Sequence, residues 1–238
     1  MNILIYDLSR LLGCIFAHLF FRLRKIGFEN LPKGPYLLAC NHISHFDPPL
    51  LALALPHRLD FMTWHKLFES KWVAAWLRAV GCFPLNVDHP DGRSVRAAVS
   101  RLQAGHIVGL FPEGGIRTGE NSILERQTLP AGTAGLARLG RCPVRSCVVI
   151  GTDQLYDWRN WFQRPKIYVV CGQEFTLDPA LSKQDALQKL TGELQTEFRA
   201  LYRRTFEDYK LTNKMIPRSA QERWTPAEKL SPDLRKTA

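Results

Sequence analysis

The sequence is poor in acidic residues, has no C-x-x-C pair, shows no internal repeat or low-complexity tract, and contains no uncharged apolar run long enough to cross a bilayer. The shortage of acid, 22 Asp and Glu against 32 Lys and Arg, leaves a formal charge of +10. Such a charge favours anionic partners, whether nucleic acid, an anionic membrane surface or phosphate-bearing substrates, and does not choose among them. The six cysteines are dispersed and sit mostly in apolar strings such as Leu-Leu-Ala-Cys and Val-Val-Cys-Gly. They read as buried reduced thiols, which favours a cytoplasmic address. No secretory signal is expected, because the apolar opening has no basic n-region and runs into Arg22, Arg24 and Lys25 instead of a small-residue cleavage site.

What is present is enough apolar material, 45% of 238 residues, for one sizeable core. Three regions are expected. Residues 1–26 read as a membrane-associating helix, since Ile3 to Phe21 is largely apolar but interrupted by Asp7, Arg10 and His18; a helix lying in the interface fits better than a span, and packing on its own domain is the other reading. Residues 27–211 alternate short apolar strings with helical periods. Strands are expected at Tyr36 to Cys40, His106 to Phe111, Val144 to Ile150 and Ile167 to Cys171. Helices are expected from Pro48 to Leu55, Leu67 to Val80, Arg93 to Ala104, Ala131 to Leu139 and Lys183 to Tyr209. That alternation predicts an α/β layer fold with a mostly parallel central sheet flanked by helices. Residues 212–238 are polar, basic and proline-punctuated, with Trp224 almost the only large apolar group beyond Ile216, and predict a loosely ordered tail.

Two clusters carry chemistry. Asn41, His42, Ile43, Ser44, His45, Phe46, Asp47 and Pro48 follow the expected strand Tyr36 to Cys40, where α/β folds expose functional groups. His42 can take a proton from a hydroxyl, and the Asp47 carboxylate, five residues on, can hold its ring in one tautomer. Asp47 before Pro48 also reads as a helix N-cap. The second cluster, Phe111, Pro112, Glu113, Gly114, Gly115, Ile116 and Arg117, closes the strand from His106. Its glycines allow close backbone approach to a ligand, and Arg117 offers a planar fork suited to phosphate.

Together the clusters resemble the glycerolipid acyltransferases typified by 1-acyl-glycerol-3-phosphate acyltransferase, over roughly Gly27 to Gly172. The likeness rests on His-x-x-x-x-Asp at His42 to Asp47, preceded by Asn41, and on Phe111-Pro112-Glu113-Gly114. It implies that His42 is a general base oriented by Asp47, that the hydroxyl attacks a thioester directly, and that neither an acyl-enzyme nor a metal takes part. Acyl-CoA or acyl carrier protein is then the donor co-substrate and a phosphate-bearing lysolipid the acceptor, either 1-acyl-glycerol-3-phosphate giving phosphatidic acid or a different lysolipid acylated by the same chemistry, with no other cofactor. Asn41, Glu113 and Gly114 are implied as scaffold of the substrate site. The sequence departs from the family pattern by one extra residue between Gly114 and Arg117, by Val87 where arginine is usual, and by Ser146 where a second proline is common. Lacking the base at Val87, the acceptor phosphate is assigned to Arg117 together with Arg93, at the start of an expected helix whose N-terminus favours anions. The expected location is the cytoplasmic face of a membrane, peripheral or monotopic.

Three other classes are weighed. A nucleic-acid-binding module would explain the charge and the run Arg199 to Arg204, but no binding motif interleaves bases with aromatics, so no nucleic-acid partner is expected. A metal-dependent hydrolase would use His42, His45 and Asp47, yet nothing obvious completes the ligand set. An inactive lipid-binding protein of the same fold conflicts with intact His42 and Asp47.

Overall fold

The computed structural model describes residues 2–29, 31–86 and 92–224. Among them one seven-stranded sheet organises the chain: β1 (Arg22–Ile26), β2 (Tyr36–Cys40), β3 (Leu59–Trp64), β4 (Cys82–Leu85), β5 (Ile107–Leu110), β6 (Val144–Ile150) and β7 (Lys166–Phe175). Their order is β1-β7-β6-β2-β5-β3-β4. The five strands from β6 to β4 are parallel, whereas β7 runs antiparallel to β6 and carries β1 parallel to itself. The sheet is therefore mostly parallel, with a reversed pair at one edge.

β2 is the middle of the sheet and all five of its residues are buried, because both of its faces are covered. Leu37 and Ala39 point into a core shared with α4 (Gly92–Gln103), α5 (Gly132–Gly140) and α6 (Lys183–Asp208). Tyr36, Leu38 and Cys40 point into the opposite core, closed by α2 (Asp47–Ala54) and the C-terminal end of α1 (Ile3–Phe20). Four of the cysteines, Cys40, Cys142, Cys147 and Cys171, are buried and unpaired; Cys14 is exposed and Cys82 half-buried.

The expected helix from Leu67 to Val80 is divided into a 3-10 segment, His65–Phe68, and α3 (Lys71–Ala79). α3 buries only Ala74 and Leu77, so Trp72, Val73 and Trp76 lie on its outer side. β1, β3 and β4 were not legible as strands. β4 contains Pro84, which a sheet tolerates because β4 is an edge strand.

Two expected boundaries need correction. The N-terminal helix ends at Phe20, and Arg22–Ile26, expected to flank it, form edge strand β1 paired with β7. The bases there alternate with Leu23 and Ile26, which supply the apolar contacts of the strand. Nor is the C-terminal region loose from residue 212: Asn213–Met215 form a 3-10 turn, and α7 (Ala220–Trp224) is held on the body by Arg223, which pairs with buried Asp153. The remainder of that expected tail, residues 225–238, lies outside the described residues, as does Val87.

α1 reaches the length and apolar content of a membrane span, which its uncharged part alone does not. Its polar side chains nevertheless tie it to the domain. Asp7 pairs with Arg58 at 2.8 Å, Arg10 donates to the Leu55 carbonyl at 2.6 Å, and the buried Tyr6 hydroxyl accepts from the Leu59 amide at 3.1 Å. Gly13 abuts Leu53, where an added Cβ would come within 3.1 Å of its side chain.

Candidate active site

The two sequence clusters meet because of strand register. Ala39 lies opposite Leu110 in the β2–β5 ladder, so continuing both strands by three residues sets His42 beside Glu113. The chain after β2 then turns to α2 on one face of the sheet, and the chain after β5 leads to α5 on the other. Such a divergence opens a crevice at the carboxyl ends of neighbouring strands, where α/β proteins place their sites.

Asn41 extends β2 with its side chain. It is fully buried, donates to the Val149 carbonyl at 3.0 Å and accepts from the Val149 amide at 2.7 Å, imitating a ladder pair with β6. His42 follows, its side chain 15% exposed, and its Nδ1 lies 2.9 Å from Oδ2 of fully buried Asp47. That oxygen also accepts from the amides of Ile43 at 2.7 Å and Ser44 at 2.8 Å. The other oxygen, Oδ1, accepts from the Ser44 hydroxyl at 3.2 Å and the Thr152 hydroxyl at 2.5 Å.

The capping role considered for Asp47 is corrected by this geometry. α2 begins at Asp47 itself, with Phe46 at the cap position. Pro48 and Pro49 offer no N–H, and the Leu50 amide already donates to the Phe46 carbonyl, so the carboxylate finds its donors upstream, at Ile43 and Ser44.

Glu113 joins the clusters. Its Oε2 accepts from the His42 amide at 2.6 Å, while Oε1 accepts from the Ser122 hydroxyl at 2.9 Å and the Ile123 amide at 3.0 Å. Burial pushes its carboxyl above the usual range, and these hydrogen bonds pull against that shift. The Arg117 amide donates to the His42 carbonyl at 2.8 Å, closing the loop over the block. Gly114 makes the turn possible with φ of +67°, a conformation that L side chains rarely adopt. The His42 ring stacks on Phe111, with centroids 4.0 Å apart and planes 12° apart, and Phe111 stacks in turn on Phe61.

With Nδ1 engaged by Asp47, Nε2 is the ring nitrogen left over, and a general base needs such a nitrogen to accept a hydroxyl proton. His45 is not turned toward this pair: its Nδ1 and its backbone amide both meet the Tyr156 hydroxyl, at 2.7 and 3.1 Å. No group of three metal-ligating side chains occurs among the described residues. Arg117 is exposed beside the site, and Arg93 is exposed in the first turn of α4, two strand spacings beyond β5 at the end of β4. Sequence reasoning missed Thr152, Ser44 and the Phe111 stack. Thr152 was findable in principle, since Gly151-Thr152 closes β6, a strand adjacent to β2.

Residues 22–150 match the family model described as Acyltransferase. Over 147 residues the chain is 29% identical to 1-acyl-sn-glycerol-3-phosphate acyltransferase of Bacillus subtilis (strain 168), covering 61% of this chain and 69% of that protein. It is 21% identical over 182 residues to the protein of the same name from Streptococcus pneumoniae, covering 73% of this chain and 65% of the other. Among solved structures, the 1-acyl-sn-glycerophosphate (LPA) acyltransferase PlsC from Thermotoga maritima superposes with a TM-score of 0.62 at 22% identity, over 87% of this chain and 81% of that one, a likeness of fold.

Proposed function

The chain belongs to the acyltransferase family, and on that premise we propose that it moves a fatty-acyl group from a thioester, acyl-CoA or acyl carrier protein, to the free hydroxyl of 1-acylglycerol-3-phosphate, giving phosphatidic acid. The observation that carries the reading is the His42–Asp47 contact at 2.9 Å, held against the Glu113 block at the carboxyl ends of β2 and β5. In this reading Nε2 of His42 takes the acceptor's hydroxyl proton as the oxygen attacks the thioester carbonyl. The tetrahedral intermediate collapses, the C–S bond breaks, and the thiolate leaves with the proton returned from the imidazolium. Asp47 stabilises that imidazolium through Nδ1–H. The names of the curated relatives favour the glycerophosphate acceptor. Arg117 and Arg93 are its phosphate ligands in this reading; Asn41, Glu113 and Gly114 hold the backbone around it.

The protein works at a membrane in the same reading. α1 exposes Leu4, Leu8, Leu11, Leu12, Ile15 and Leu19, with Leu4 80% exposed. Exposed aromatics flank it on both sides: Trp72 and Trp76 of α3, where the Trp76 indole donates to the Ser9 hydroxyl, and Trp158 and Phe162 of the 3-10 segment Trp158–Gln163, where Trp161 meets Phe16 edge-on at 5.3 Å. An apolar surface of that extent, with Lys71, Arg78 and Arg159 on the flanking elements, fits an anionic lipid interface on the cytoplasmic side, with α1 lying in the plane and the domain against it.

The test is product analysis by mass spectrometry with a panel of donors and acceptors. Phosphatidic acid from 1-acylglycerol-3-phosphate is expected, and a folded His42→Ala protein should lose about two to four orders of magnitude in turnover. Near-normal turnover of that variant would remove the mechanism.

A further inference from the structure

The carboxylate beside His42 is held from a third strand. After Ile150 the chain leaves β6 through Gly151, at φ +89°, and enters the 3-10 segment Thr152–Tyr156. Thr152 is fully buried, and its hydroxyl donates to Oδ1 of Asp47 at 2.5 Å. The other donor to that oxygen, the Ser44 hydroxyl, stands at 3.2 Å, so Thr152 makes the short contact. Both sides of the carboxylate are thereby fixed: the Ile43 and Ser44 amides on Oδ2 set its distance to the imidazole, and Thr152 keeps it from rotating and exchanging its oxygens.

The segment that carries Thr152 is itself clamped. Asp153 is fully buried, and its Oδ2 accepts from Arg223 Nε at 2.8 Å, Arg223 Nη2 at 2.5 Å and the Arg218 amide at 2.9 Å. Nη2 of Arg223 also donates to the carbonyls of Lys214 at 3.2 Å and Ile216 at 3.5 Å, which gathers residues 214–223 around one guanidinium. Met215 lies against the same turn: its sulfur accepts from Gln154 Nε2 at 3.3 Å, and a Cβ placed on Gly151 would come within 2.8 Å of Met215 Cε. A carboxylate this deeply buried is tolerated because a charged, hydrogen-bonded partner reaches it.

We infer that Thr152 is a positioning residue for the Asp47–His42 pair, and that residues 213–223, anchored by Arg223 on Asp153, form a strap that fixes the Thr152 hydroxyl in place. The inference rests on the reading of His42 and Asp47 as the reacting pair. The strap lies beyond residues 22–150, the span of the family match, so this chain completes its site with a segment of its own C-terminal region.

Steady-state kinetics on the full chain test it. Thr152→Val removes the donor, and because a hydrogen bond to a charged group is at stake, kcat should fall about ten- to a hundredfold. KM for donor and acceptor should stay unchanged, because neither touches Thr152, and Thr152→Ser should restore most of the turnover. A structural lesion would raise KM or lower Tm, and serine would not rescue it. Arg223→Ala strands a buried carboxylate, so the decisive strap variant removes both charges, Asp153→Leu with Arg223→Leu. It should lower kcat in the same direction, and adding Thr152→Val to it should cost little more, since both act through one contact. Wild-type kcat in Thr152→Val overturns the positioning role; wild-type kcat in the double variant, or losses that simply multiply, overturns the strap. If His42→Ala abolishes turnover while Thr152→Val does not change it, this inference fails alone. If His42→Ala remains active, the proposed function fails and this inference falls with it.

Discussion

Replacing Asp47 by asparagine separates an electrostatic role from a scaffolding one. The amide has one oxygen to offer in place of two, and its best orientation is dictated by the donors around it. Oδ2 faces the imidazole and two backbone amides that can only donate, whereas Oδ1 faces the Ser44 and Thr152 hydroxyls, which can rotate to accept. Asparagine therefore turns its oxygen toward His42 and its NH2 toward the hydroxyls, preserving the loop and the ring tautomer. What it loses is charge. Two unit charges 2.9 Å apart attract by about 6 kcal/mol at an effective dielectric of about 20. A neutral hydrogen bond to the asparagine oxygen recovers roughly 1–2 kcal/mol of that. The remaining ~4 kcal/mol would be missing from the imidazolium-bearing transition state, a fall in kcat of about three orders of magnitude. Thermal unfolding should barely change, and that pairing of intact Tm with lost turnover is the signature. Asp47→Asn within about threefold of wild-type kcat, with an unchanged fold, would refute the electrostatic argument and leave Asp47 as loop scaffold only.

Glu113→Gln should lower Tm by several degrees, because an amide cannot accept from the His42 amide and the Ser122–Ile123 pair at once, and a buried donor left unpaired costs about 1–3 kcal/mol. Since burial raises the Glu113 carboxyl, its contribution is fully present below the ordinary carboxylate range and is lost as pH rises through the elevated value; the Tm gap between wild type and Glu113→Gln should therefore narrow from acid to neutral pH, and a widening gap would contradict the sign. Dialysis against a chelator should leave turnover unchanged, because His45 is bonded to Tyr156 and does not converge with His42 and Asp47 on an ion; metal-dependent recovery of activity would refute this. Leu8→Glu with Leu12→Glu, both exposed on α1, should shift the protein from sedimenting anionic vesicles to the supernatant without lowering Tm, and unchanged sedimentation would place the docking surface elsewhere.

The parts of the fold that could be read from sequence are those with a single dominant pattern. β2 is a continuous apolar run, β6 ends in the apolar run Cys147 to Ile150, and α6 keeps an amphipathic pattern over its 26 residues. β1 escaped because Arg22, Arg24 and Lys25 of an exposed edge strand look like a charge cluster beside a helix, and β4 because its four residues include a proline. The reversal of β7 was not legible, since a buried strand carries the same residues whichever way it runs. In the site, local spacing led to His42 and Asp47 and to the Glu113 turn. The contacts that cross about a hundred residues, Asn41 with Val149 and Thr152 with Asp47, come only from the ladder of β2 with β6. Asp153 and Arg223, 70 residues apart, show no pattern in sequence at all.

The same ladder spacing ranks the two arginines assigned to the acceptor phosphate. Arg117 is tied by its amide to the His42 carbonyl, so its guanidinium starts from the rim of the reacting pair. Arg93 starts from the first turn of α4, which the Ser94 hydroxyl fastens to the Pro84 carbonyl of β4. β4 lies three positions from β2, a lateral offset of roughly 14 Å at ~4.8 Å per strand. In a glycerophosphate the phosphate and the free hydroxyl are separated by only a few bonds, so a phosphate whose neighbouring hydroxyl meets His42 lies far nearer to Arg117 than to the backbone of Arg93. Arg93 can contribute by extending across the crevice and by the field of its helix N-terminus, which weakens with distance. Arg117→Ala should therefore raise the acceptor KM more than Arg93→Ala does, with Arg117→Lys recovering part of the loss, because a point charge keeps the attraction but not the planar fork. Neither substitution should change hydrolysis of the acyl donor in the absence of acceptor. Equal effects would mean that the phosphate sits midway between the two arginines, too far from His42 for the direct attack proposed here, and a larger effect at Arg93 would move the acceptor site to the β4 edge.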